Sequence, residues 1–465
     1  MDIIIIGNGF DIAHKLPTQY KDFLNFVNGF YDYKRRTKKI STRIVDNKVD
    51  YSQFFSNLTN TDNEALVNFE ENITQNIWID YFLDNSTEHE TWVGFENDIF
   101  KIIKLLEECQ KEYNKKVKID TKNIYETSSH KELIKILSKH FILENQYIDK
   151  YKFLFFKISI EEYNNPKNNI LNFLYKKCFK KVTVKTKPHI NPYLERNIVL
   201  KYKCGKHDLN YDEYHNQKYL KKYLYRLFYR PQYSKDVFAR WNALLISNLN
   251  RLISALNFYL YYYVGKISIS YSSPDILEIC EANSKNTNNN LKLLSFNYTN
   301  TFESNYTKNV KTHYIHGKAT GSKSNCNIVL GINEYLNKKE RSQNVDFIDF
   351  QKYFQRIQKR TGNEYKNWLS EINNQKYDNK EPKHKLYIFG HSLDVTDSDI
   401  IKEFILNKHI ETTIFYHDQQ AYENRIRNLI KIIGKDELIK RTSSTHPTII
   451  FQQQENIIST KRRLD

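Results

Sequence analysis

A chain of 465 residues that is 40% hydrophobic and 27% charged has the make-up of a folded globular protein, not of a disordered or fibrous one. Its apolar runs fall far short of the roughly 18 residues a membrane span needs, and Met1-Asp2 leads directly into a core-like strand, so neither membrane insertion nor a signal peptide is expected and the predicted location is the cytoplasm. Lys plus Arg number 71 against 54 for Asp plus Glu, a net charge of +17 that admits a nucleic-acid partner without requiring one, because the chain is also crowded with Asn, Ile, Tyr and Phe, the mark of a coding bias toward A and T.

In chain order, the first element is Ile3 to Ile6, continuously apolar and β-branched, which predicts a strand buried on both faces of a parallel sheet. Gly7 and Gly9 end it, two of only 12 glycines spent within three residues. A strand-turn-helix junction of this kind uncovers main-chain N–H groups toward an anion such as a pyrophosphate. Residues 31–285 are rich in Lys, Tyr, Leu and Glu at helical spacing, including Trp92 to Lys111, Lys131 to Lys157 and Tyr214 to Val264 with a break near Pro231. They predict a large helical insertion. Within it, Glu96 shares a helical face with Trp92 and Phe95, either as a buried structural acid or as a pocket residue; Tyr20 and Asp22 raise the same question more weakly.

Strand patterns resume at Leu291 to Phe296, Lys311 to His316, Ile328 to Ile332, Lys385 to Phe389, Thr412 to Tyr416 and Thr448 to Phe451. Helices are predicted at Asp397 to Asn407 and at Gln419 to Ile433, the latter stopped by Gly434. Asn283 to Asn290 and Ser322 to Asn327 read as loops. The fold class is therefore α/β, a Rossmann-like, mostly parallel sheet discontinuous in sequence: residues 1–30 supply its first strand and helix, 31–285 an insertion, and 286–465 the remainder.

Four polar motifs stand where strands end, the place at which open α/β sheets bind ligands. They are Gly7-Asn8-Gly9-Phe10-Asp11, Ser295-Phe296-Asn297-Tyr298-Thr299, Tyr314-Ile315-His316-Gly317 and Phe389-Gly390-His391-Ser392-Leu393-Asp394. Each alone has a dull explanation as a capped turn or a satisfied loop histidine; together they point to one site. Ile12 replaces the third glycine of G-x-G-x-x-G and no P-loop lysine follows, which disfavours a dehydrogenase or an ATPase. No metal is expected: His313 and His316, three apart on a strand, face opposite ways, and His391, Asp394, Asp397 and His417 have loose spacing. The five cysteines include no C-x-x-C pair, so neither a disulfide framework nor a zinc ribbon is indicated.

These motifs, with Leu16-Pro17-Thr18, Tyr20, the run Trp78-Ile79-Asp80-Tyr81-Phe82, Trp92 and Phe95-Glu96, recur in an order that resembles the abortive infection AbiH family of bacterial anti-phage proteins, from the N-terminus to about residue 440. The resemblance implies phage defence set off by a phage-derived trigger. More distantly, the order G-x-G, Leu-Pro, Asn-Tyr, His-Gly, Gly-x-Ser-Leu is similar to that of sirtuin-like NAD-binding domains. That similarity implies NAD as ligand or substrate, with Gly7, Asn8 and Gly9 along the pyrophosphate and Asn297 facing the nicotinamide ribose. It makes His316 the general base with Gly317 beside it, and sets Gly390, Ser392 and Leu393 on the adenosine side. The chain departs from the sirtuin-like pattern at Asp11, where a Ser is usual, and at Thr299, where many have Asp. A carboxylate at Asp11 repels a pyrophosphate unless it reaches ribose hydroxyls or a cation. The expected activity is NAD glycohydrolysis by an abortive infection effector. Two alternatives stand beside it: a nucleic-acid-binding or nuclease effector using the basic helical region, and a non-enzymatic nucleotide sensor acting as a homo-oligomer whose assembly changes on binding.

Overall fold

The computed structural model describes residues 1–38, 49–84, 94–100, 103–104, 183–184, 208–209, 231–285, 291–321, 326–333, 346–375 and 384–459. The chain divides into two compact units, Met1–Ile99 with Asn248–Asp465, and Phe100–Ser247. In the second, Thr183–Val184 and Asp208–Leu209 form a short parallel pair. The predicted helix Lys131 to Lys157, and Trp92 with most of the Trp92 to Lys111 segment, lie outside the described residues, as does most of the basic region offered as a nucleic-acid surface.

The first unit is built on one six-stranded sheet. Numbering its strands along the chain, they are β1 (Asp2–Ile6), β2 (Leu291–Ser295), β3 (Lys311–Tyr314), β4 (His384–Phe389), β5 (Ile410–Tyr416) and β6 (Ile449–Gln453). All pair in parallel, in the spatial order β3-β2-β1-β4-β5-β6. This is the doubly wound Rossmann order, whose direction reverses between β1 and β4. β1 runs in register with both neighbours, Ile4 opposite Leu293 on one side and Tyr387 on the other.

Both sheet faces are covered, which explains the uninterrupted isoleucine run. Ile3 and Ile5 join Leu294, Leu386 and Ile388 on the face packed by Trp368 and Ile372 of the Glu364–Asn374 helix and by Ile401 and Phe404 of the Ser398–Ile405 helix. Ile4 and Ile6 face Leu293, Phe10 and Phe302, with Ile276 and Ile279 of the Pro274–Ser284 helix. Each of the four is at most 1% exposed. Such burial contributes roughly 1.5–3 kcal/mol per side chain. Gly434 ends Gln419–Ile433 at φ 85°, as expected, and the structure shows Asp418 capping its start by accepting from Ala421 N at 2.7 Å.

One expected strand is absent. Ile328 to Ile332 is extended and buried but contributes a single bridge, Ile332 with Gln351. Its polar backbone is satisfied otherwise: Val329 N donates to His316 O (2.8 Å), and the Gln355 amide both accepts from Leu330 N and donates to Leu330 O (3.0 Å each). A glutamine side chain occupies the place of a neighbouring strand. The helices Ser52–Thr61, Asn63–Ile73 and Ile77–Asp84, inside the stretch expected as an insertion, belong to the same unit as the sheet.

Candidate functional site at the carboxyl edge of the sheet

The ends of β1 and β4 interlock through three glycines. Gly9 N donates to Gly390 O (2.8 Å) and Gly7 N to Phe389 O (3.2 Å). A Cβ on Gly390, whose φ is +65°, would stand 2.1 Å from Phe10 N, and one on Gly7 2.8 Å from the His391 Cα. Close approach of two backbones at the switch point thus accounts for both glycines of the first turn. Their N–H groups are taken up by this contact, while the Asn8 N–H and side-chain amide donate to no described residue.

Next to the interlock, Asp11 is buried on the Asn8–Ala13 helix and accepts a hydrogen bond from Thr299 Oγ1 (2.6 Å), which in turn accepts from Thr301 Oγ1 (3.0 Å). Burial raises the Asp11 carboxyl to about 6, while Thr299, Thr301 and Asn297 pull it back. Thr299 and Asp11 are the two positions at which the chain departs from the sirtuin-like order, and they meet.

Beyond β3 and β4 lies a buried cluster of charge. Asp397 accepts from His316 Nε2 (3.0 Å) and Lys352 Nζ (3.1 Å) on the same oxygen, and His391 Nε2 lies 3.8 Å from the other. Lys352 also contacts Glu96 Oε1 at 2.9 Å. Phe296 stands edge-on to both imidazoles, with centroids 5.4 Å from His316 and 4.5 Å from His391. Every member is under a tenth exposed: Glu96 7%, His316 4%, Lys352 4%, His391 5% and Asp397 9%.

One lysine serves two carboxylates, and that imbalance sets their protonation. Burial pushes Asp397 up, but Lys352 and then His316 outweigh it and hold it well below the usual carboxylate range. For Glu96 burial prevails over Lys352 and raises the carboxyl to about 7. Lys352 lies above its ordinary value because Asp397 and Glu96 together overcome its burial. Burial lowers both histidines, His391 to about 4, so both are neutral at pH 7. An ionised Asp397 can only accept, so His316 carries its proton on Nε2 and its lone pair on Nδ1. His391 has the same tautomer, since its Nδ1 accepts from Leu393 N at 2.9 Å.

The fold brings together Asp11 with Asn297 and Thr299, His316 with Asp397 and His391, and Gly7 and Gly9 with Gly390. Gly317, at φ +80°, packs against Asn327, whose carbonyl oxygen would lie 2.2 Å from its Cβ. Leu393 is buried, and Ser392 is exposed with its carbonyl accepting from Asn428 Nδ2 (3.0 Å). His313 points away from the cluster, to Thr361 O at 3.1 Å. Among the described residues no group of three or more His, Cys, Asp or Glu is arranged to hold a metal ion. Tyr20 packs on Phe82 and Phe95, and Asp22 caps its helix by accepting from Gln19 N (2.9 Å).

Lys352 escapes sequence reasoning. Its signal is faint: a lone lysine among aromatics in Phe350-Gln351-Lys352-Tyr353-Phe354. It is positioned by the extended segment that fails to become a strand, Lys352 N donating to Ile332 O at 2.8 Å. Asp397 precedes the Ser398–Ile405 helix yet makes no capping bond, its carboxylate being given to the cluster.

No curated protein and no solved structure matches the chain. No described helix is long and apolar enough to cross a membrane. Residues 3–200 and 194–417 match the family described as Bacteriophage abortive infection AbiH. With nearly the whole chain matched, including the strand ends that form the cluster, the protein belongs to the AbiH family of bacteriophage abortive infection proteins.

Proposed function

We propose that this abortive infection protein acts by binding NAD or a related nucleotide at the carboxyl edge of β1, β2 and β3 and hydrolysing its N-glycosidic bond. The observation that carries this reading is a set of three buried polar atoms that make no well-formed hydrogen bond among the described residues: Asp11 Oδ1 and Asn297 Nδ2, which lie close enough for the amide to lower the carboxyl, and His316 Nδ1. Folded proteins satisfy nearly all such atoms, and these three follow adjacent strands at the edge where doubly wound sheets bind nucleotides. They comprise two acceptors and a donor, which suits ribose hydroxyls and an attacking water.

In this reading His316 is the base. Asp397 fixes its ring and tautomer through Nε2–H, leaving the Nδ1 lone pair to take a proton from water. The Asn297 amide orients that water, and the Asp11 carboxylate accepts from a ribose hydroxyl, which answers the objection to a carboxylate beside a pyrophosphate. Water attacks the ribose C1′ as the bond to the pyridinium nitrogen breaks. The bonding pair leaves with nicotinamide, and the water proton passes to His316. The leaving group is already good, so no strong acid is required, and burial of the cluster supplies a dry surround.

The test is NAD content during phage infection of cells carrying wild type or His316→Ala. Depletion by wild type alone, with protection lost in the variant, is expected. Equal NAD in both, with protection intact, refutes the reading.

A further inference from the structure

Arg425 has no role in the site so far described. It lies on the Gln419–Ile433 helix and is only 8% exposed, yet it has no ion-pair partner among the described residues. Nη1 donates back to Ala421 O of its own helix (3.1 Å), and the buried Nε donates to no described residue. Asp418 is the acidic group acting on it, and that carboxylate is engaged in capping the helix through Ala421 N. Burial lowers the guanidinium pKa, but an arginine stays charged in a protein. A buried guanidinium whose acidic neighbour Asp418 is spent on the helix cap is only partly compensated, which costs the folded state free energy and leaves a donor for an anionic ligand.

Its surroundings indicate where that ligand sits. Asn428, three residues further along the same helix face, donates to Ser392 O, which docks this face on the turn after β4. The Arg425 charge is felt at His391 in that turn. A partly compensated buried cation therefore stands near the Gly390–Leu393 turn, on the far side of the switch point from Asp11 and Asn297.

We infer that Arg425 binds a phosphoryl group of the ligand, so that the substrate class is a phosphorylated nucleotide and not a nucleoside or a free base. This rests on the nucleotide site proposed above and adds the anion-binding element that the engaged Gly7 and Gly9 amides do not provide. The planar guanidinium fork matches a phosphate through paired, charge-assisted hydrogen bonds.

Titration calorimetry and thermal melts of the full chain with inorganic pyrophosphate, ADP-ribose and adenosine test the inference on wild type, Arg425→Met and Arg425→Lys. Pyrophosphate and ADP-ribose are expected to bind wild type, and adenosine far more weakly. Arg425→Met should weaken pyrophosphate binding by about tenfold or more. It should also raise the melting temperature of the ligand-free protein, because an unpaired buried charge has gone; a purely structural arginine would lower it. Arg425→Lys should retain part of the pyrophosphate affinity. A Met variant that is less stable or unfolded without ligand, or that binds pyrophosphate as wild type does, overturns the inference. Arg425-dependent binding of pyrophosphate with no response to ADP-ribose or NAD would keep the anion site and sink the nucleotide reading. Binding of ADP-ribose that is indifferent to Arg425 would do the reverse.

Discussion

Glu96→Gln probes the charge imbalance of the cluster directly. The buried carboxyl titrates near 7 in the folded protein against 4.5 as its ordinary value, a difference of 2.5. At about 1.36 kcal/mol per pKa unit this amounts to about 3 kcal/mol. The folded pKa is raised, so the folded state holds the proton more tightly than the unfolded one. The associated stability is fully present below pH 4.5 and is lost as pH rises through 7. Glutamine has the shape of the protonated acid and cannot ionise, so the variant lacks this loss. Urea denaturation at several values from pH 5 to 8.5 is the assay, read as the variant's stability minus that of wild type. The subtraction cancels other groups that titrate in or near this range, such as Asp11 near 6 and His391 near 4. The variant should lead by about 1 kcal/mol at pH 5, where the unfolded carboxyl has begun to ionise, and by about 3 kcal/mol at pH 8.5. A difference that stays flat with pH, or a variant that is uniformly weaker, would mean that Glu96 is an ordinary ionised partner of Lys352 and that the imbalance argument is wrong.

Lys352→Met removes the cation that Glu96 and Asp397 share and should destabilise the protein by about 3–5 kcal/mol at pH 7, with partial recovery when Glu96→Gln is added; urea denaturation of the single and double variants checks this. Gly390→Ala should cost about 3 kcal/mol or more, because a positive φ is joined by a Cβ forced against the Phe10 and Gly9 backbone, whereas Gly434→Ala, with nothing within 4 Å of its Cβ, should cost only the backbone strain of about 1–2 kcal/mol. Comparing the two denaturation midpoints separates interlock from strain.

Much of the sheet was legible in the sequence, because burial leaves a local mark. Ile3 to Ile6 had to be apolar on both faces, and β2, β4 and β5, though interrupted by residues such as Lys292, Lys385 and Glu411, keep enough buried apolar positions between turn residues to read as strands. The helix Gln419–Ile433 was marked at its end by Gly434, and the structure adds Asp418 as the cap at its start. Ile328 to Ile332 shows the limit of such reading. Its apolar pattern is that of a buried strand, but the pairing partner is the side chain of Gln355, and no local signal distinguishes a glutamine amide from a neighbouring backbone.

The amino-acid sequence by itself determined the class of fold, the residues that end its strands and the family to which the chain belongs, since periodicity, turn chemistry and ordered motifs are properties of neighbours along the chain. Only the tertiary structure decided that Gly7 and Gly9 are there for Gly390, that Asp11 answers Thr299, and that Glu96, Lys352 and Asp397 share one buried charge balance. The physical reason is that hydrogen bonds and Coulomb interactions act through space, and Glu96 and Lys352, which form an ion pair, stand some 250 residues apart along the chain.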